Sequence, residues 1–294
     1  MPRLIRAYAV SLVFILAGCA GSSTTQLNYG GDGNYKLSKQ IRYSFTLSNT
    51  TDRLLAKAQF WTYLPVPNTS HQRVKKIAAN YPYQEKRDEL GNSTINFELE
   101  NIPPYGSRIV SITVDLLMSA QPVAMSVGDR QRFLSPEPYI ETGDARIVEL
   151  AAQLHNESPA VTIQNDYEWV EKNIVSENYI AEDRGAVSAI ETRTGDCTEF
   201  SYLLTALYRV QQIPARAIGG YVFSNNGIVK AMDYHNWTEF YFDGAWQIAD
   251  AQKGFFVSKQ TDYVAMRVIS TGGAERVASQ RFSYAGEGLR VEMN

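Results

Sequence analysis

Cysteine is scarce in this chain: 294 residues contain two, Cys19 and Cys197. If the first is spent on an anchor, the second has no partner, and the disulfide framework of a small secreted fold is excluded. There are three histidines, and no group of His, Cys and acids has metal-ligand spacing, so no resident metal is expected. A phosphate-cradling loop is also missing. Gly219-Gly220 lies inside a strand-like run, without the helix that such a loop opens. No cofactor is therefore expected. Charge is nearly balanced, with a net of −3 and a pI near 5.7, which excludes the basic excess of a nucleic-acid or polybasic lipid binder. Long apolar runs are absent beyond the N-terminus, so no later segment is expected to cross a membrane.

The N-terminus itself is patterned for export. Arg3 and Arg6 precede an uncharged, mostly apolar stretch at 7–17, too short for a bilayer span of about 20 residues. Leu16-Ala17-Gly18-Cys19 resembles the bacterial lipobox, which implies lipidation of Cys19 and removal of the preceding residues. Ala20, rather than Asp, follows it, and by resemblance to lipoprotein sorting this implies an outer-membrane anchor facing the periplasm. Residues 1–19 are thus read as a lipoprotein signal and 20–37, rich in Gly, Ser, Thr and Asn, as a flexible tether.

The folded body changes period near residue 120. Ile41, Tyr43, Phe45 and Leu47 alternate with polar neighbours, as do Ile95, Phe97 and Leu99, and Val110, Ile112, Val114 and Leu116. Period two of this kind marks half-buried strands, and the turn signals between them predict a β-sandwich over 38–120. After residue 140 the period becomes helical. Ile147, Leu150, Ala151 and Leu154 form one stripe, and Ile163, Tyr167, Val170 and Ile174 a second, with Thr162 as a possible cap. Asp196 and Glu199 have capping-box spacing ahead of Phe200, Leu203, Leu204, Leu207 and Val210, and Pro214 ends that helix. Strands are predicted near 215–223, 234–242, 245–250 and 262–269. Helices grouped before strands predict an α+β domain over 140–270. Residues 271–294 are weakly patterned and remain unplaced.

Cys197 stands in the first turn of its helix, where unsatisfied N–H groups and the macrodipole favour a thiolate. A lone cysteine is often only a small buried hydrophobe. His235 weakens that reading. Asp243-Gly244 is a two-residue hairpin signal, and such a turn pairs Phe242 with Ala245 and, counting back, Trp237 with Asp250. His235 and Asp250 then become diagonal neighbours on one face, roughly 7–8 Å apart at the backbone. A thiol, a strand histidine and an acid beside it are the parts of a nucleophilic triad. The other histidines, His71 and His155, read as surface residues.

Thr194-Gly195-Asp196-Cys197-Thr198-Glu199-Phe200, Gln212 through Tyr221, His235-Asn236-Trp237, Asp243-Gly244-Ala245-Trp246 and Asp250 together resemble the transglutaminase-like superfamily of papain-fold cysteine enzymes. The resemblance covers 140–270. It implies a papain/transglutaminase-like α+β core with Cys197 as nucleophile, His235 as general base and acid, and Asp250 as the orienting acid. Asp250-Ala251-Gln252 departs from the family's usual Asp-Pro-Thr, and Asn236 replaces its usual alanine. Trp237 is open between substrate cleft and core, and Tyr221 between a donor toward the thiol or oxyanion and plain packing. The implied activity is thioester-forming attack on amide bonds of proteins or peptides, cell-wall peptides among them. Protease or amidase chemistry ranks ahead of cross-linking. The alternative is a catalytically inactive binding module of the cell envelope.

Overall fold

A computed structural model describes residues 22–27, 32–270 and 281–294, with backbone alone at 13–14. Cys19 and nearly all of the expected signal segment lie outside the described residues. The alternating runs are strands with their apolar residues inward. Ile41, Tyr43, Phe45 and Leu47 are buried on the strand Leu37–Asn49, and Val110, Ile112, Val114 and Leu116 on Ser107–Met118. These two strands pair antiparallel along twelve residue pairs, Leu37↔Met118 to Ser48↔Ser107. Gln72–Ala79 adds on the far side of Ser107–Met118, and Ser23–Gln26 beyond it. A second sheet runs Phe282–Ala285, Leu55–Leu64, Ser93–Ile102, Gln84–Arg87. Aromatic rings such as Phe45 and Phe60, 4.7 Å apart between centroids, fill the space between the two sheets.

Both ends of this sandwich depart from the sequence reading. Ser23–Gln26 is not a free tether, since Thr25 pairs with Ile77 and is buried. The C-terminal residues complete the sandwich. Phe282–Ala285 pairs with Leu55–Leu64, and Leu289–Met293 with Leu37–Asn49, burying Leu289 and Val291. Two residues of the later domain, Gly227–Ile228, also pair with Leu37–Asn49.

The α+β core has four helices among the described residues: Ala145–Leu154, Pro159–Asn173, Gly185–Thr192 and Cys197–Val210. Ser158, not Thr162, holds the N-cap position of the second, without a side-chain capping bond, and Pro159 starts the helix. Thr162 lies within the first turn, its Oγ1 bonded to the backbone of Asn156. The core sheet is antiparallel, in the order Phe255–Phe256, Ala245–Asp250, Tyr234–Phe242, Ala215–Val222, Tyr263–Val268. Cys197–Val210 packs on one face of it, where Thr238 Oγ1 donates to Ser201 O at 3.0 Å and Tyr208 meets Phe240.

Side-chain amides weld the two units together. Gln72 brackets Ala265, donating to its carbonyl and accepting from its N–H, both at 2.8 Å. Asn92 does the same to Val268, at 3.0 and 2.6 Å. The edge strand Tyr263–Val268 is thereby capped as another strand would cap it. His71 sits in this seam, 2 % exposed, rather than on the surface. Burial pushes its imidazole down to about 4 despite the nearby Glu239 carboxylate, so the ring is neutral. His155 is exposed as expected.

Candidate active site

Asp196 opens the Cys197–Val210 helix with extended backbone (φ −91°, ψ −168°). Its Oδ1 accepts from Thr198 N at 2.7 Å, and Glu199 Oε2 accepts from Asp196 N at 3.0 Å. The reciprocal capping box also engages the Glu199 N–H. The N–H of Cys197 is therefore the first-turn donor that the cap leaves open. Gly195 is required at this point, because a Cβ there would stand 2.5 Å from the Cβ of Glu199.

The same carboxylates hold the loop 177–184 beside the cysteine. Asp196 Oδ2 accepts from Ile180 N at 2.8 Å, and Glu199 Oε1 from Arg184 N at 3.1 Å. Tyr202 OH donates to Asp183 Oδ2 at 2.9 Å. Helix cap and loop are one hydrogen-bonded unit.

His235 and Asp250 meet as the hairpin register requires. Asp243 and Gly244 both have positive φ (51° and 78°), the signature of the tight turn that matches strand twist. Phe242 pairs with Ala245, and the ladder runs to Thr238↔Ala249. His235 Nε2 lies 2.7 Å from Asp250 Oδ2. Both side chains are buried, at 6 % and 2 % exposure. Asp250 Oδ2 also accepts from Tyr263 OH at 2.7 Å, and Oδ1 from Lys253 N at 3.1 Å. Three donors satisfy the carboxylate and fix the plane of the imidazole.

Cys197 is joined to this pair through Asn236. The backbone N–H of Asn236 and the hydroxyl of Thr198 both favour the thiolate, and Asn236 Nδ2 donates to Thr198 Oγ1 at 3.0 Å. The thiol therefore lies one residue from His235. No hydrogen bond links Sγ to the imidazole among the described residues, so the third contact of a triad is not made in this arrangement. The electrostatics also depart from expectation. Burial, with the Asp196 carboxylate adding to it, pushes the Cys197 thiol up to about 12. These two effects outweigh the helix N-terminus, and the isolated thiol is protonated at neutral pH.

Trp237 and Tyr221 are not cleft residues. Trp237 is 1 % exposed and packs edge-on against Tyr263, with ring centroids 5.0 Å apart. Tyr221 is buried against the sandwich, and its hydroxyl lies 3.4 Å from Met293 Sδ. Met293 lies on the C-terminal strand Leu289–Met293, which no local pattern announced. Sequence reasoning also missed Tyr263, whose hydroxyl reaches Asp250 from the edge strand Tyr263–Val268, which pairs with Ala215–Val222.

Residues 148–251 match the family model of the transglutaminase-like superfamily. A crystal structure of a candidate cysteine protease from Cytophaga hutchinsonii is similar over 88 % of this chain and 92 % of its own, with 19 % identity and a TM-score of 0.57. That likeness establishes a shared fold. The periplasmic domain of TgpA from Pseudomonas aeruginosa aligns over 68 % of this chain and 88 % of its own, at 15 % identity and a TM-score of 0.37. No curated protein matches the sequence.

Proposed function

We propose that the protein, whose residues 148–251 match the family model of the transglutaminase-like superfamily, is a cysteine-dependent acyl-transfer enzyme acting on amide bonds of proteins or peptides. The observation that carries this reading is the His235–Asp250 pair at 2.7 Å, one residue from the Asn236 N–H that meets the Cys197 thiol. The chemistry follows from those positions. His235 accepts the thiol proton as Sγ attacks the amide carbonyl, and a tetrahedral oxyanion forms. The open N–H of Cys197 is placed to donate to that oxyanion. The imidazolium, held by Asp250, returns the proton to the departing amine, leaving a thioester on Cys197. Water then attacks and releases acid, or an amine attacks and forms a new amide. Hydrolysis ranks ahead of cross-linking, and cell-wall peptides are among the substrates in reach of an envelope anchor. Lipidation at Cys19, with the outer membrane as its destination, belongs to the same reading and rests on the Leu16-Ala17-Gly18-Cys19 run.

A binding module is the second reading. The protonated thiol and the missing Sγ–imidazole hydrogen bond favour it. Amine release from peptide and glutamine-amide libraries separates the two. Release that disappears in Cys197→Ala supports acyl transfer, and release that persists in Cys197→Ala sinks it.

A further inference from the structure

The core joins the sandwich at the end where Gln72 pairs with Met118; the opposite end is a tip built from the loops 50–54 and 103–106. Buried Asn49 wires the two loops together. Its Nδ2 donates to the carbonyls of Arg53, Ile102 and Pro103 at 2.7, 3.1 and 3.0 Å. Its Oδ1 accepts from Thr51 N and Oγ1 at 3.0 and 2.7 Å, and Tyr105 N donates to Thr51 O at 3.1 Å. This rigid tip presents apolar side chains to solvent: Leu54 is 55 % exposed and Tyr105 73 %, with Pro103 and Pro104 exposed beside them. Tyr105 has left-handed backbone (φ 54°) in a turn closed by Gly106 N donating to Pro103 O at 2.9 Å. Glycine usually takes that third position, because a Cβ is crowded there. A bulky aromatic held there at a conformational cost, and left in water, points to a partner for the tip.

Strand register fixes how far this tip lies from the expected anchor. Ser23 pairs with Ala79, which pairs with Ile112, while Gln26 pairs with Lys76, which pairs with Asp115. Going back along the chain from Gln26 to Ser23 therefore leads toward the tip. The strand from Ile112 down to Gly106 covers about 20 Å at ~3.3 Å per residue. The chain from Ser23 back to Cys19 covers at most ~14 Å when fully extended. Even with that chain straight, the tip reaches about 6 Å past the anchoring residue. With the sandwich standing along the membrane normal, a lipid on Cys19 brings Leu54 and Tyr105 to headgroup depth, the ~5–10 Å at which apolar faces settle into a bilayer surface.

We infer that the sandwich tip around Leu54 and Tyr105 is a membrane-contacting surface, seated on the bilayer that holds the Cys19 lipid. The inference rests on the lipidation reading and goes beyond it by giving the protein an orientation. Arg53 shares the tip with Asp52 and with Glu287 of the turn that Thr50 N meets at Gly288 O, so apolar insertion rather than charge makes the contact. A tyrosine, apolar in body and polar at its hydroxyl, suits the membrane–water interface. The twelve-pair ladder from Ser48↔Ser107 to Leu37↔Met118 then lifts the core about 40 Å off the bilayer, where Cys197 meets proteins or peptides away from the lipid surface.

The test uses the full chain, expressed in bacteria and purified from their membranes, carrying Cys197→Ala and one added thiol for an environment-sensitive nitrobenzoxadiazole dye. Leu54→Cys and Tyr105→Cys label the tip, Lys86→Cys the side of the sandwich and Lys36→Cys its far end; all four positions are exposed. Each protein is placed in vesicles of phosphatidylethanolamine and phosphatidylglycerol containing spin-labelled lipid. Dye at 54 and 105 should emit further to the blue and be quenched several-fold more than dye at 86 or 36. Equal quenching at all four positions, or the strongest quenching at 86, overturns the tip. The mass of the N-terminal peptide keeps the two claims apart. A lipid on Cys19 without tip quenching leaves the anchor standing and removes the surface. Tip quenching in a chain whose Cys19 carries no lipid removes the anchor and keeps the surface.

Discussion

Replacing His235 by alanine tests the electrostatics of the site most severely. Cys197 is held at about 12 by burial and by the Asp196 carboxylate. At pH 7 such a thiol is ionised in about one molecule in 10⁵, against about one in 30 for an ordinary cysteine of pKa ~8.5. Alkylation rate follows the thiolate fraction. The His235→Ala thiol should therefore react about a thousandfold or more slowly with iodoacetamide than a free cysteine. Its rate should climb tenfold per pH unit up to at least pH 10. The acyl-transfer reading requires His235 to come within reach of Sγ and take its proton, and the parent's rate at pH 7 should then exceed that of His235→Ala. Rates at pH 5–10, followed by intact mass on both proteins, give the comparison directly. Equal rates in the two proteins would refute the transfer.

Other consequences are equally open to measurement. Tyr263→Phe removes one of three donors to Asp250, and kcat should fall about tenfold with KM nearly unchanged; an unchanged kcat would show that the hydroxyl only fills space. Gly195→Ala forces a Cβ against Glu199, which its two hydrogen bonds hold in place, and should cost about 1–3 kcal/mol in urea unfolding. Asp166, buried between helices, has its carboxyl raised to about 8 by burial. An acid raised in the folded state gives stability that is present below its unfolded pKa near ~4 and is lost as pH climbs toward 8. Asp166→Asn should thus equal the parent in Tm near pH 4 and exceed it increasingly up to pH 8, and parallel Tm curves would contradict this.

The parts of this fold that were legible in the sequence are those with local causes. Alternation at Ile41 to Leu47 and Val110 to Leu116 reports a buried sheet face, and both runs are buried as read. Asp196, Glu199 and the stripe from Phe200 to Leu207 define a helix because cap and face lie within one segment. The Asp243-Gly244 turn sets a register, and the register alone brings His235 to Asp250. What stayed hidden depends on distant partners. Leu289–Met293 becomes a strand only beside Phe45 to Asn49, and Ser23–Gln26 only beside Gln72–Ala79. The burial of His71 and the contact of Tyr221 with Met293 arise where two units meet, which residue periodicity does not encode. The raised thiol belongs to the same class: a helix terminus can be seen in sequence, but the surroundings that desolvate it cannot.

The most direct test of acyl transfer is to trap the intermediate. The chain with Cys197 intact, mixed with a pool of glutamine- and acid-containing peptides and quenched in acid within seconds, should carry one acyl group on the Cys197 peptide by mass spectrometry. The added mass should equal the substrate less its leaving amine, and hydroxylamine should remove it, as expected of a thioester. Amide turnover with no adduct on Cys197 under any quench, or turnover that survives Cys197→Ala, would contradict the mechanism.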